Sequence, residues 1–267
     1  MAWPVLVFDI ETIPDLAGLR AAGLAEGQTD AQAYAAWKAQ RAEEGKSDFV
    51  PLYLQRVLVI SCVFRNAEGL HVHSFVDREL EGQSQEGRVI QTFFNTVEKH
   101  VPQLVSWNGG GFDLPVLHYR GLKHGVVASK YWDMGEGGDH DSREFKWNNY
   151  IGRYHMRHLD LMDLLAMYQP KNNAPLDAMA KLCGFPGKLG MDGSRVFQAY
   201  QDGQLEDIRR YCETDVMNTY LMYCRFQKMR AGLTEAEYAQ EIDFVKHALT
   251  ELAPTQAHWQ EYLAAWA

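Results

Sequence analysis

Val5-Leu6-Val7-Phe8, followed by Ile10, is a short apolar run rich in β-branched residues that reads as a buried strand, and it carries two acids, Asp9 and Glu11. On a strand, residues i and i+2 face the same way, with side chains about 6–7 Å apart. Two carboxylates on one face of an apolar strand are costly to bury unless something neutralises them. A divalent cation does so. The bland alternative is a strand edge with two solvated acids, and Asp-x-Glu alone is a common pattern.

Two further segments bear on that choice. Asn108-Gly109-Gly110-Gly111-Phe112-Asp113 places an acid just after a glycine-rich loop. A short strand over 103–107 leads into the loop and a helix over 112–124 leaves it, with Pro115 in the first turn, where proline is tolerated. Alone, Asp113 would read as an acid complementing a helix dipole. Tyr211-Cys212-Glu213-Thr214-Asp215 lies on a long predicted helix over 204–229. Tyr211 and Asp215 are i, i+4 there, about 5–6 Å apart on one side. Alone, they would read as a surface pair.

Composition narrows the partners. Lys and Arg number 26 against 35 Asp and Glu, a net charge of −9, which argues against a general duplex-coating protein. It leaves room for an enzyme that grips a few nucleotides, and metal-binding carboxylates themselves add acidity. The four cysteines form no Cys-x-x-Cys pair, so reduced thiols in a cytoplasmic compartment are expected and a structural zinc is not. The start lacks a basic segment before a long apolar one, so no signal peptide is expected. No apolar stretch of about eighteen residues suggests a membrane span.

Along the chain, an Ala-rich charged segment over 28–44 reads as a helix inserted between the first two strands. Strands are predicted over 57–64 and 70–76, joined by the turn Asn66-Ala67-Glu68-Gly69. A helix follows over 88–100. Residues 130–157 read as a long irregular loop with at most one helical turn. Residues 158–167 begin as a strand or a helix entry and continue as a helix. A short helix over 175–183 ends at Gly184. Thr234-Glu235-Ala236-Glu237 opens another helix with a capping-box pattern, and a last one covers 256–266. The expected class is α/β.

Taken together, the three segments resemble the first, second and third motifs of the proofreading exonuclease domain of family B DNA polymerases, in order and in residue type. This is the tyrosine branch of the DEDD 3′–5′ exonucleases. His158-Leu159-Asp160-Leu161 and Leu176-Asp177-Ala178-Met179-Ala180 resemble the stretch between its second and third motifs. The resemblance covers about residues 4 to 228 and implies a ribonuclease H-like mixed sheet flanked by helices, with extra peripheral helices. Residues 1–230 would form that domain. Residues 231–267 would be a helical extension packed on it. Neither the insertion nor this tail is explained by the polymerase resemblance, and no polymerase palm or thumb is expected.

The resemblance also implies a site. Asp9, Glu11, Asp113 and Asp215 would hold two Mg²⁺ or Mn²⁺ ions, with Asp9 shared, Glu11 and Asp215 on the nucleophile side and Asp113 on the second ion. Tyr211 would orient the attacking water. Ile10 and Thr12 would face the terminal nucleotide, and Asn108 and Phe112 its sugar and base. The implied reaction releases nucleoside 5′-monophosphates from single-stranded DNA 3′ ends. An exoribonuclease or oligoribonuclease is the nearest rival, because the 2′-OH contact that decides is not readable.

Other readings compete. A silent nucleic-acid-binding module would be marked by a lost ligand, and all four acids and the tyrosine are present. A two-carboxylate glycosidase would need neither the third and fourth acids nor Tyr-x-x-x-Asp. Trp132, Trp147, Tyr150, Arg153, Tyr154, Arg157 and His158 interleave aromatic and basic residues, which suits single-stranded nucleic acid as well as loop packing. Asp160 reads as a helix cap or as a carboxylate supporting the site; Asp163 reads as a first-turn acid. A transient partner in replication or repair is compatible with all of this, its identity open.

Overall fold

The structure is a computed structural model and describes residues 4–24, 26, 27, 29–136 and 140–266. Five strands form one mixed sheet: β1 (Val5–Pro14), β2 (Gln55–Arg65), β3 (Leu70–Val76), β4 (Gln103–Ser106) and β5 (His158–Asp160). Their order across the sheet is β3-β2-β1-β4-β5. β1 is central, antiparallel to β2 and parallel to β4, and β5 adds in parallel at the edge. This is the α/β, ribonuclease H-like arrangement the motifs imply.

The helices are α1 (Leu16–Ala21), α2 (Asp30–Glu43), α3 (Glu86–His100), α4 (Asp113–His124), α5 (His140–Phe145), α6 (Leu161–Leu165), α7 (Leu176–Leu182), α8 (Val196–Gln201), α9 (Leu205–Met229), α10 (Glu235–Leu252) and α11 (His258–Ala264). They cover both faces of the sheet, which is why β1 reads as a nearly continuous apolar run. Alternation along β1 sorts its side chains. Val5 and Val7 enter a core shared with α9, α10 and α11, including Val216, Val245 and Trp259. Leu6, Phe8 and Ile10 enter the opposite core against Phe93 of α3 and Leu117 of α4. Asp9 and Glu11 continue the odd-numbered series, so period two alone aims them at the α9 side. The β1–β2 register shifts between Glu11 and Thr12, whose partners are Val59 and Val57. The irregularity lies beside the two acids, a common place for a bulge that re-aims a side chain.

Most predicted elements appear within a few residues of their expected ends. The inserted helix is α2, opened by a capping box between Thr29 and Gln32. A second capping box, Thr234 with Glu237, opens α10. α1 and α8 were not anticipated. Each has six residues, too few to display a helical period, and Asp15 caps α1 by accepting from Gly18 N at 2.9 Å. The 130–157 stretch contains α5 and is otherwise irregular among its described residues. Among the described residues, no helix is long and apolar enough to cross a membrane.

One buried ion cluster ties the start of α1 to α3 and α4. Arg120 is 1% exposed. Its Nε and Nη2 donate to the two oxygens of Glu86 at 2.7 and 2.6 Å, and Nη1 donates to Asp15 Oδ2 at 2.7 Å. Glu86 also accepts from Val57 N at 2.8 Å. Burial alone would raise Asp15, but its bonds to Lys123 and Arg120 hold it down to about 2. Removing one partner of such a cluster strands the remaining charges. Arg120→Ala is expected to cost about 3–5 kcal/mol in chemical denaturation. Arg210→Ala, which breaks an exposed pair with Asp207, should cost under about 1 kcal/mol. Equal losses in the two variants would refute this account.

Candidate active site

The α9 helix crosses the end of β1 with Tyr211, Cys212 and Asp215 turned inward. Tyr211 and Cys212 pack with Ile13 of β1, which continues the odd-numbered face. Ligand atoms of Asp9, Glu11 and Cys212 lie within 4.8 Å of one another. The Cys212 thiol points at Asp9, 3.5 Å from its carbonyl oxygen and 3.6 Å from Oδ2. Glu213, the other acid of this segment, turns away and accepts from Ser74 at 2.7 Å and from Arg209.

Asp113 arrives from α4. β4 ends at Ser106 while β1 runs on, so the Ile10 N–H lacks a strand partner on that side; it donates to Asp113 Oδ1 at 3.1 Å. The loop before Asp113 is tightly shaped. Asn108 has φ +69°, an uncommon conformation for a non-glycine residue, and its carbonyl accepts from Gly111 N and Phe112 N. A side chain at Gly109 would meet Ser106 Oγ at 2.3 Å, so the turn needs glycine there. Asp160 holds the loop, accepting from Asn108 N at 2.9 Å and Gly110 N at 2.8 Å. The same carboxylate caps α6 through Asp163 N at 3.2 Å. Both sequence readings of Asp160 therefore hold at once. Asp163 binds Arg153 at 2.8 and 2.9 Å.

Lys188 stands among the acids. Its Nζ lies 3.1 Å from Asp215 Oδ2 and donates to the Tyr211 oxygen at 2.5 Å. Sequence reasoning missed it, along with the proximity of Cys212. A single lysine in the turn Gly187-Lys188-Leu189-Gly190 gives no local sign that its partner acids lie on β1 and α9.

The electrostatics follow from four carboxylates facing one ammonium. Burial, then Asp113 and Asp215, push Asp9 well above the usual carboxylate range. Burial, then Asp9 and Asp215, do the same to Glu11. Burial lifts Asp113 to about 7 despite its hydrogen bonds. Asp215 is raised by burial, only partly offset by Lys188. Burial would lower Lys188, but Asp215, Asp9 and Glu11 hold its proton on more tightly than usual. The buried Oδ1 of Asp215 has no hydrogen-bond partner among the described residues. An unpartnered buried carboxylate oxygen, hard oxygen donors nearby and uncompensated negative charge fit a divalent cation.

The nucleotide-facing candidates are partly assembled. Thr12 donates to Gln55 Oε1 at 2.9 Å, while the Ile10 side chain lies in the α3–α4 core. The backbone of Ile10 is its part nearest the acids, through the bond from Ile10 N to Asp113. Phe112 is half-buried, with the ring of Phe49, in the segment after the insertion, 6.1 Å away. A cleft of about 560 Å³ opens beside Asn108, walled by Leu114, His118, Tyr131, Met162 and Tyr168. The aromatic-and-basic stretch divides. Trp132, Trp147, Arg153 and Tyr154 reach solvent. Tyr150 is buried with its hydroxyl on Pro102 O at 2.7 Å, Arg157 is buried 4.3 Å from the Phe145 ring, and His158 pairs with Ser106 at 2.8 Å. Those three pack the loop.

An acid whose folded pKa is raised binds more protons in the folded than in the unfolded chain. For Asp113 that stabilisation is complete below 3.8 and is lost as pH rises through about 7. The cation-free protein is therefore expected to melt lower at about pH 8 than at about pH 5, by about 2–4 °C for each kcal/mol involved. Asp113→Asn should flatten that dependence in thermal scans, and an unchanged slope would contradict the assignment.

Residues 47–266, most of the chain, match a family described as "Predicted 3'-5' exonuclease related to the exonuclease domain of PolB". Asp9 and Glu11 precede the matched stretch; Asp113, Lys188, Tyr211 and Asp215 lie within it. No curated protein matches the chain. A hydrolase of this kind acts on nucleic acid and typically depends on divalent metal. With β1 supplying two acids, α4 a third and α9 a fourth to one buried cluster, the chain belongs to the family of predicted 3′–5′ exonucleases related to the exonuclease domain of PolB.

Proposed function

We propose that the protein is a DEDDy-type 3′–5′ exonuclease that removes nucleoside 5′-monophosphates from single-stranded DNA ends. The observation that carries this reading is the convergence of Asp9, Glu11, Asp113 and Asp215 with Tyr211 and Lys188 at the end of β1. Asp9, Glu11 and the free Oδ1 of Asp215 would hold one cation; Asp9 and the second oxygen of Asp113 would hold the other. Bound Mg²⁺ or Mn²⁺ would make a water acidic and neutralise charge on the attacking and leaving oxygens.

The chain's own groups do the rest. Burial, then Asp215, Glu11 and Asp9, push the Tyr211 phenol far above its ordinary value, so it keeps its proton at neutral pH. It therefore positions a water through its hydroxyl and is not the base. Lys188 stays charged and donates to the Tyr211 oxygen, while the phenolic hydroxyl donates to Asp215. Asn108, on its loop clamped by Asp160, and Phe112 with Phe49 would meet the terminal sugar and base. The cleft beside Asn108 lies in the size range of small-ligand sites and has aromatic walls suited to a base. We read residues 1–230 as the exonuclease domain and 231–267 as an extension sharing its core. A strand of RNA remains the alternative substrate.

With 5′-labelled single strands and Mg²⁺ or Mn²⁺, the expected product is a ladder shrinking from the 3′ end, faster on DNA than on RNA. A faster RNA ladder would replace the DNA assignment with an exoribonuclease. EDTA should stop the reaction and Mg²⁺ or Mn²⁺ restore it; Zn²⁺ as the sole effective ion would contradict the oxygen-donor site. Asp9→Ala and Asp215→Ala should each lower kcat by about a hundredfold or more with the fold retained. Tyr211→Phe should lower kcat while leaving Mn²⁺ affinity near wild type.

A further inference from the structure

We infer that Tyr262, on the C-terminal helix α11, is a positioning residue for Lys188, acting through Asn218 and Gly187. Tyr262 and Asn218 are both fully buried. Asn218 lies three residues beyond Asp215 on α9, so the two side chains share a helix face. The Tyr262 hydroxyl donates to Asn218 Oδ1 at 2.8 Å. The same oxygen accepts from Gly187 N at 3.2 Å, and Asn218 Nδ2 donates to Gly187 O at 2.8 Å.

This geometry leaves no freedom in the amide. A backbone N–H must face the amide oxygen and a backbone carbonyl must face the amide nitrogen, so flipping Asn218 would break both bonds. The tyrosine hydroxyl, meeting the oxygen, must donate. Gly187 has φ +72°, and a Cβ there would come within 2.6 Å of Asp177 Oδ1. The following residue is pinned as well, with Lys188 N donating to Asp177 Oδ1 at 2.7 Å. The Gly187–Lys188 peptide is thus gripped from α9 and α7, and only then does the lysine stem reach Asp215 and Tyr211. A lysine stem is flexible, and a fixed root limits where its ammonium can go.

The hydroxyl is held in turn by aromatic packing. Trp259 and Trp266 meet the Tyr262 ring edge-on at 5.6 and 6.0 Å, and Trp259 is fully buried. The tail therefore delivers one hydrogen bond into the support of the candidate site, in addition to its share of the core.

The test is a double-mutant cycle in the full chain: wild type, Tyr262→Phe, Lys188→Met and the double variant. Tyr262→Phe keeps the ring and removes only the hydroxyl. Asn218→Ser breaks the same link from the other end and is read in a parallel cycle. The first readout, Mn²⁺ binding followed by electron paramagnetic resonance, needs no turnover. Lys188 holds Asp215, so Lys188→Met should tighten Mn²⁺ binding. Tyr262→Phe should tighten it by about threefold in the lysine background and leave it unchanged in the methionine background. The second readout rests on the exonuclease reading: kcat should fall about three- to tenfold in Tyr262→Phe with KM unchanged, and not fall further in the double variant. Equal effects of Tyr262→Phe in both backgrounds, as a purely structural role would give, overturn the inference. So does no effect on Mn²⁺ affinity in the lysine background. A wild-type protein that degrades neither DNA nor RNA would remove the proposed reaction, and the Mn²⁺ cycle would still decide the positioning role.

Discussion

The burial of Asp9, Glu11, Asp113 and Asp215 beside one another is the constraint around which this protein is built. Folding brings four acids into one buried place and supplies one lysine against them. Such a cluster works against the folded state unless a cation is bound, so the surrounding scaffold must be stable enough to impose it. The largely buried strand β1, covered on both faces, provides that stability. The acids sit where β1 outruns β4, at the point where a backbone N–H is left for Asp113 to satisfy.

The supports are themselves polar and buried. Asp160 clamps the glycine loop on one side of the site, and Asn218 with Asp177 clamps the Lys188 turn on the other. The Arg120 cluster anchors the entrance to the insertion. Each is a hydrogen-bonded group whose removal would strand its partners, so these positions tolerate less change than exposed pairs such as Arg210 with Asp207. Rigid support of this kind is what a hydrolytic site needs if a water is to be held in line with a phosphorus atom.

The insertion and the C-terminal helices, which the polymerase resemblance leaves unexplained, both touch this machinery. Phe49, in the segment after the insertion, faces Phe112, and Tyr34 of α2 meets Phe197 of α8 edge-on at 5.3 Å. The insertion thus contacts the α8 side, and the segment that follows it the α4 side. The tail meets α9 through Tyr220 with Glu241 at 2.6 Å and through Tyr262 with Asn218. Arg65 of β2 binds the same Glu241 at 2.9 Å, joining sheet, α9 and α10 at one carboxylate.

Much was legible in the sequence because it depends on local periodicity. Alternation set the faces of β1, helical spacing marked α3, α4 and α9, and the Thr-x-x-Glu pattern marked the start of α10. Asp9, Glu11, Asp113, Tyr211 and Asp215 were legible as a set through the resemblance of their three segments to the exonuclease motifs, since alone each segment reads otherwise. α1 and α8 escaped, each having too few residues to show a helical period. Lys188 and Cys212 joined the cluster only in three dimensions. A lysine in a turn and a cysteine between a tyrosine and a glutamate carry no local mark of a neighbour on a distant strand; their place is decided by where α7 and α9 pack, a property of long-range contacts. The sequence by itself determined which carboxylates exist and which way each faces on its own strand or helix. The tertiary structure alone decided that they share one buried volume, which groups clamp their loops, and which lysine stands between them.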